Sequence, residues 1–149
     1  MTLFFRKTKS LDHSQVTRVL HELRDALVGM LGDELVGLIV YGDATQPERF
    51  DPAHSSVDVM LVLGQINCDI LDRGSAAVAK AQEQIRLTTM TLTQEDLQSS
   101  CDVFPVKFHT MQQRHRVIHG KDVLSKLKIS DEHLRLRCEQ ETKNLMIRL

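Results

Sequence analysis

The chain of 149 residues has no CxxC pair, and its three cysteines, Cys68, Cys101 and Cys138, are odd in number and widely separated. That excludes a zinc ribbon and a disulfide framework, and free thiols suit a reducing compartment. No apolar run approaches the roughly 18 residues of a membrane span. The opening MTLFFRKTKS has only three consecutive apolar residues before a basic run, too few for a signal-peptide core. We therefore expect a cytoplasmic protein with no membrane contact. The formal net charge is only −1, so no global field draws the chain to nucleic acid. GxSxG, P-loop and Rossmann glycine patterns are absent. His115 and His119 are four apart, but Arg116 follows His115 where a zinc-binding HExxH helix carries glutamate, so no zinc site is expected. There is no internal repeat and no low-complexity segment.

What is present is an ordinary globular composition, 42% apolar and 26% charged, long enough for one domain with a sizeable core. Ser10 is placed to cap a first helix, in which Val16, Val19, Leu20, Leu23, Leu27 and Leu31 recur at helical spacing. Leu35 to Tyr41 is apolar at nearly every position, as in a strand covered on both faces. A polar loop over 42–55 leads to a second apolar run, Val57 to Leu63. Leu71, Val78 and Ile85 mark a helix over about 69–88, and Thr93 with Asp96 forms a capping-box pattern before a short helix. Residues 103–111 read as a third strand, with Pro105 at an edge or bulge. Residues 112–129 read as short helix and turn around Gly120. Ser130 is placed to cap a last helix carrying Leu134, Cys138, Leu145 and Leu149 on one side. The expectation is an α/β (α+β) domain over 1–129, with a small mixed or antiparallel sheet and helices packed on one face. Residues 130–149 then begin a C-terminal helical region. Its pattern is still apolar where the sequence stops, which points to a longer chain or to docking on a partner protein.

The two central runs carry a resemblance. Val40-Tyr41-Gly42-Asp43, twelve residues of loop and Ser56-Val57-Asp58-Val59 resemble the nucleotidyltransferase superfamily of the DNA polymerase beta type. Its pattern is an apolar strand, Gly-Ser or Gly-Gly, a loop, then acid-apolar-acid on the next strand. The later stretches LTQEDLQSSCDVFPVKFHTMQQRHRVIHGKDVL and HLRLRCEQETKNLMIRL resemble a bacterial branch of such proteins that is poorly defined in function. The resemblance covers most of the chain from Leu35 onward.

The resemblance implies transfer of a nucleoside monophosphate from a triphosphate to a hydroxyl, with Mg2+ held by paired carboxylates and a third acid as general base. Residues i and i+2 of a strand face the same way, so the paired positions are Ser56 and Asp58. A register with Asp58 and Met60 in those places loses one acid as well. Asp58 is thus the retained carboxylate, catalytic and metal-binding if the chain is active. Ser56 is a neutral replacement, and Asp43 stands where a phosphate-binding serine belongs. Lys107 stands where the related branch has a glutamate on its third strand. Asp102 is an outlying acid that serves only under a shifted register. Gly42, Asp43, Ser56 and Lys107 are the candidate nucleotide- or phosphate-binding set.

Residues 103–121 contain no acid but hold Lys107, Arg114, Arg116 and Lys121 with His109, His115 and His119. Such a stretch faces a phosphate-bearing ligand or an acidic surface, or is simply solvated. Phe104 and Phe108 have the even spacing of core-facing strand residues, which leaves little for stacking on bases. Three functions are compatible with these features. The first is a catalytically degenerate nucleotidyltransferase-like module that binds a nucleotide or a partner. The second is an active transferase with Asp43 and Asp58 on one Mg2+. A nucleic-acid-binding module ranks last.

Overall fold

The computed structural model describes residues 13–51 and 54–148. The caps and contacts expected of Ser10 and Leu149 lie outside them. Five helices and four strands follow in the order α1 (His13–Leu31), β1 (Leu35–Tyr41), β2 (Val57–Leu63), α2 (Cys68–Gln84), β3 (Leu87–Thr93), α3 (Asp96–Val103), α4 (Pro105–Gln113), β4 (His115–Gly120) and α5 (Asp131–Arg148). The sheet runs β3-β2-β1-β4. β1 is antiparallel to both β2 and β4, while β2 and β3 are parallel. The parallel pair needs a crossover, and α2 supplies it. The architecture is a mixed α/β sheet with a C-terminal helix, in line with the sequence.

β1 and β2 read as apolar at nearly every position because both of their faces are covered. On one face, Leu38, Val40, Val57, Val59, Leu61 and Leu63 pack with Leu20, Leu23 and Leu27 of α1 and with Ile70, Ala77 and Ala81 of α2. On the other, Ile39, Met60 and Val62 pack with Leu97 and Cys101 of α3, Phe108 and Met111 of α4, and Val123 and Leu124. The expectation of helices on one face thus describes half of the arrangement. The second helical layer combines the short helix expected after Thr93 with the segment read as a third strand.

That segment is the main correction. Residues 103–111 are not a strand: Val103 ends α3, and Pro105 opens α4 at its first position, where a missing N–H costs nothing. Phe108 and Met111, three apart, are buried, whereas Phe104 is 51% exposed. The apolar period is therefore helical, and the even spacing of the two phenylalanines was misleading. Two strands lie where the sequence suggested none. β3 begins at Leu87, where a helix was expected to continue to Thr88, and β4 occupies part of the expected helix-and-turn stretch. Thr93 and Asp96 do meet at the start of α3: the Asp96 N–H donates to Thr93 Oγ1 at 3.1 Å, and Thr93 Oγ1 donates to Asp96 Oδ2 at 2.7 Å. Ser130 caps α5 through its hydroxyl, which accepts from the His133 N–H at 3.4 Å, while its carbonyl accepts the first intrahelical bond from the Leu134 N–H at 2.9 Å.

Gly120 closes β4 with φ +77°, and a Cβ there would overlap the Val36 carbonyl oxygen. Both the left-handed backbone and the close approach of β1 exclude a side chain. Gly120→Ala should lower stability by at least about 2 kcal/mol, read as a shift of the urea midpoint at unchanged slope.

Candidate functional site

The glycine turn leaves the end of β1 as a short 3-10 turn over Gly42–Thr45. Gly42 has φ +79°, a left-handed conformation that suits glycine. The turn is held by bonds of its own and by one to Arg114. The Gly42 N–H donates to the Arg114 carbonyl at 2.9 Å, and the Gln46 N–H donates to the Asp43 carbonyl at 3.0 Å. Thr45 Oγ1 donates to the Gly42 carbonyl at 2.7 Å. Asp43 is exposed, and its carboxylate lies 3.8 Å from the Arg114 guanidinium. Gln46 follows the turn with Oε1 buried and without a hydrogen-bond partner among the described residues.

Beside this turn stands a row of side chains crossing the sheet. Thr88 on β3, Asp58 on β2, Tyr41 on β1 and His115 on β4 are register partners in succession. Strand alternation puts Asp58 on the same face as Met60 and Val62, the face that α3 and α4 cover further along. Ser56 Oγ donates to Asp58 Oδ1 at 3.0 Å. A Cβ on Gly42 would sit 3.5 Å from Asp58 Oδ2. Gly42, Ser56 and Asp58 are thus brought together as the sequence suggested. Asp43 is on the same turn but is engaged with Arg114. Lys107 is corrected in position: it is exposed on helix α4 rather than on a strand beside β2. The residue on the strand next to Asp58 is Thr88, so Asp58 is the one carboxylate among Tyr41, Ser56, Asp58 and Thr88. Among the described residues, no three His, Cys, Asp or Glu side chains cluster so as to hold a metal ion.

At the β4 end of the row lies a cluster that sequence reasoning missed. His115 Nδ1 meets the carbonyls of Met111 and Gln112 at 3.1 and 3.0 Å. Its Nε2 lies 3.0 Å from Asp122 Oδ1. Ser125 Oγ donates to Asp122 Oδ2 at 2.7 Å and is 3.5 Å from His115 Nε2. The types are those of a hydrolase triad, but the connections are not. The serine hydroxyl proton goes to the carboxylate, and the histidine is tied to backbone carbonyls. The cluster locks the end of α4 to the segment after β4. Only the spacing of His115, Asp122 and Ser125 could have signalled it, and that spacing has meaning only once β4 is known to be a strand.

No known family profile matches the chain, and no curated protein matches it in sequence. Among solved structures, the chain is similar to the spectinomycin adenyltransferase AAD(9) from Enterococcus faecialis, solved with ATP and spectinomycin. The match has a TM-score of 0.59 at 13% identity and covers 87% of this chain and 66% of that one. The fold is that of a nucleotidyltransferase. This chain spans 66% of the length of the adenyltransferase. Further similarities are to a protein from Sulfolobus solfataricus assigned as a nucleotidyltransferase (TM-score 0.46, 11% identity, covering 77% of this chain and 94% of that one). A toxin–antitoxin solved with AMP-PNP is also similar (TM-score 0.44, 12% identity, covering 92% and 95%). Within the nucleotidyltransferase fold, the glycine turn and Asp58 fall at the end of the central strand pair.

Two titrations report on this end of the sheet. Burial raises the Tyr41 phenol above its ordinary 10.0, and the negative charge of Asp58 raises it further. Tyr41 is the single tyrosine in a chain without tryptophan, so its ionisation is readable by ultraviolet absorbance. Asp58→Asn should move that titration down, though not fully to the ordinary value, because burial remains. Burial pushes the Asp122 carboxyl up, but hydrogen bonds from Ser125 and the charge and hydrogen bond of His115 outweigh it, so the carboxyl is held below its ordinary value. A lowered folded-state value gives stability that is present above about pH 4 and lost as the pH falls through the folded value. The Asp122 side chain is 41% exposed, which limits the effect to about 1 kcal/mol or less. Asp122→Asn should therefore lower the urea midpoint at pH 7, with a deficit that shrinks at pH 3.

Proposed function

We propose that this chain is a nucleotidyltransferase-like module that has lost metal-dependent nucleotidyl transfer and works by binding a nucleoside triphosphate or a partner. The observation that carries this reading is the isolation of Asp58. Transfer on this fold requires divalent ions to neutralise a triphosphate and activate an acceptor oxygen, and Mg2+ favours several hard oxygen ligands, carboxylates above all. Asp58 has as neighbours a serine that already donates to it, a threonine and a phenol. These residues do not fit the paired-carboxylate donor set.

Asp43 argues in the same direction. Two like charges 4 Å apart at a near-surface dielectric repel by about 4 kcal/mol, so a carboxylate in the glycine turn opposes an incoming phosphate. Arg114 offsets part of this charge. The reading with Asp43 and Asp58 sharing one ion needs Asp43 released from that pair, which is an added cost. A glycine turn, one acid and an adjacent arginine suit recognition better than catalysis.

The test uses the whole chain with each of the four common ribonucleoside triphosphates, with and without Mg2+. Pyrophosphate release and thermal shift are followed together. We expect no Mg2+-dependent pyrophosphate release from any of them. Steady turnover that disappears in Asp58→Ala would overturn the reading and establish the active-enzyme alternative.

A further inference from the structure

A groove of about 290 Å3 opens between α1 and the outer strand β4, lined by Thr17, His21, Arg24 and Arg116 over a floor of Leu20 and Ile118. It lies on the sheet face opposite Asp58. Arg116 pairs in register with Val40, whose side chain belongs to the core beneath α1, whereas Asp58 shares its face with Met60 and Val62. Thr17, His21 and Arg24 are four and three residues apart, and so share one face of α1. Arg116 approaches from β4. The cationic groups thus converge from two regular elements rather than from loops.

The charge of the groove is one-sided. Among the described residues, no carboxylate lines it. Arg24 pairs through Nε with its sequence neighbour Asp25 at 3.0 Å, and its two terminal nitrogens make no hydrogen bond among the described residues. Arg116 and His21 have no ion pair or side-chain hydrogen bond among the described residues. The guanidinium of Arg116 and the terminal nitrogens of Arg24 are N–H donors suited to the oxygens of a phosphate. Thr17 Oγ1 spends its proton on the His13 carbonyl at 3.1 Å, so its oxygen is left as an acceptor for a ligand hydroxyl. The volume, about 290 Å3, is at the small end of the usual range for ligand pockets.

We propose that this groove binds a small phosphoryl-bearing ligand, held between the guanidiniums of Arg24 and Arg116, at a site separate from the Asp58 end of the sheet. The hydroxyl-accepting oxygen of Thr17 and the imidazole of His21 complete the polar wall. Among the described residues, the strand that carries Arg116 is an edge strand paired with β1 alone.

The test is calorimetric titration of the full chain with inorganic pyrophosphate at low ionic strength, with citrate as a non-phosphoryl anion of comparable charge. We expect saturable binding of one pyrophosphate per chain, and citrate weaker. Arg116→Gln and Arg24→Gln should each weaken pyrophosphate about tenfold, the scale of one lost charged hydrogen bond. Both side chains are at the surface, so the core stays intact in these variants. Asp58→Asn and Lys107→Gln should leave binding within about twofold, since neither lines the groove. Loss of the same affinity in Lys107→Gln as in Arg116→Gln would mean diffuse charge attraction and overturn the proposal. So would citrate binding as tightly as pyrophosphate, or no saturable binding up to roughly 10 mM. An effect of Asp58→Asn here would place the ligand at the other site, so this outcome is separable from the fate of the transferase reading.

Discussion

The antiparallel contact of β1 with β2 is the constraint on which the rest is arranged. Leu38, Ile39 and Val40 face Leu61, Met60 and Val59 across it, and all but Leu61 are fully buried. A strand pair so apolar on both sides has to be covered twice. The chain supplies α1 and α2 for one side and α3 and α4 for the other. The same pairing ends at Tyr41 opposite Asp58, so the candidate site is positioned by the register of the core. A slip of one residue would move Asp58 from the α3–α4 face to the α1–α2 face and bring a valine into its place. Core packing therefore specifies where the acid stands.

The sheet also separates the charges. Asp58 and its polar neighbours belong to the α3–α4 face, while Arg24 and Arg116 line a groove on the α1 face. The basic stretch of 103–121, uniform in sequence, is divided by the structure. Lys107 and His109 lie on α4, Arg114 attends Asp43, His115 is tied to Asp122, and Arg116 enters the groove. A run of like charge in the sequence is thus not a patch. Alternation along β4 sends neighbouring residues to opposite faces.

The legible parts of the fold were those with one dominant pattern. β1 and β2 were readable to the residue, because an unbroken apolar run bounded by polar loops has few alternatives. α1 was readable through its repeating buried stripe, and α3 and α5 through their caps. β3 was hidden because Leu87-Thr88-Thr89-Met90-Thr91-Leu92-Thr93 lies at the sheet's edge and is largely threonine, without a clean alternation. β4, the opposite edge, carries Arg116 and two histidines for the same reason. The segment 103–111 went wrong because its phenylalanines are four apart, a spacing that a strand and a helix both accommodate, and Pro105 fits an edge strand and a helix start alike. Of the candidate site, Gly42, Ser56 and Asp58 were legible by spacing within one hairpin. Thr88, Tyr41 and His115 became neighbours of Asp58 only through pairings between distant segments, which no local pattern reports.

Arg114 gives the glycine turn a character of its own. Its carbonyl takes the Gly42 N–H, and its guanidinium attends Asp43, so one residue occupies the turn through both backbone and side chain. An anion arriving there would not fill a vacant cradle but would compete with an incumbent. Occupation of the turn is then an exchange reaction, in which the newcomer's gain is measured against the contacts of Arg114 that it replaces. Selectivity in such a site belongs to ligands able to take over the arginine as their own counter-ion while leaving Asp43 solvated.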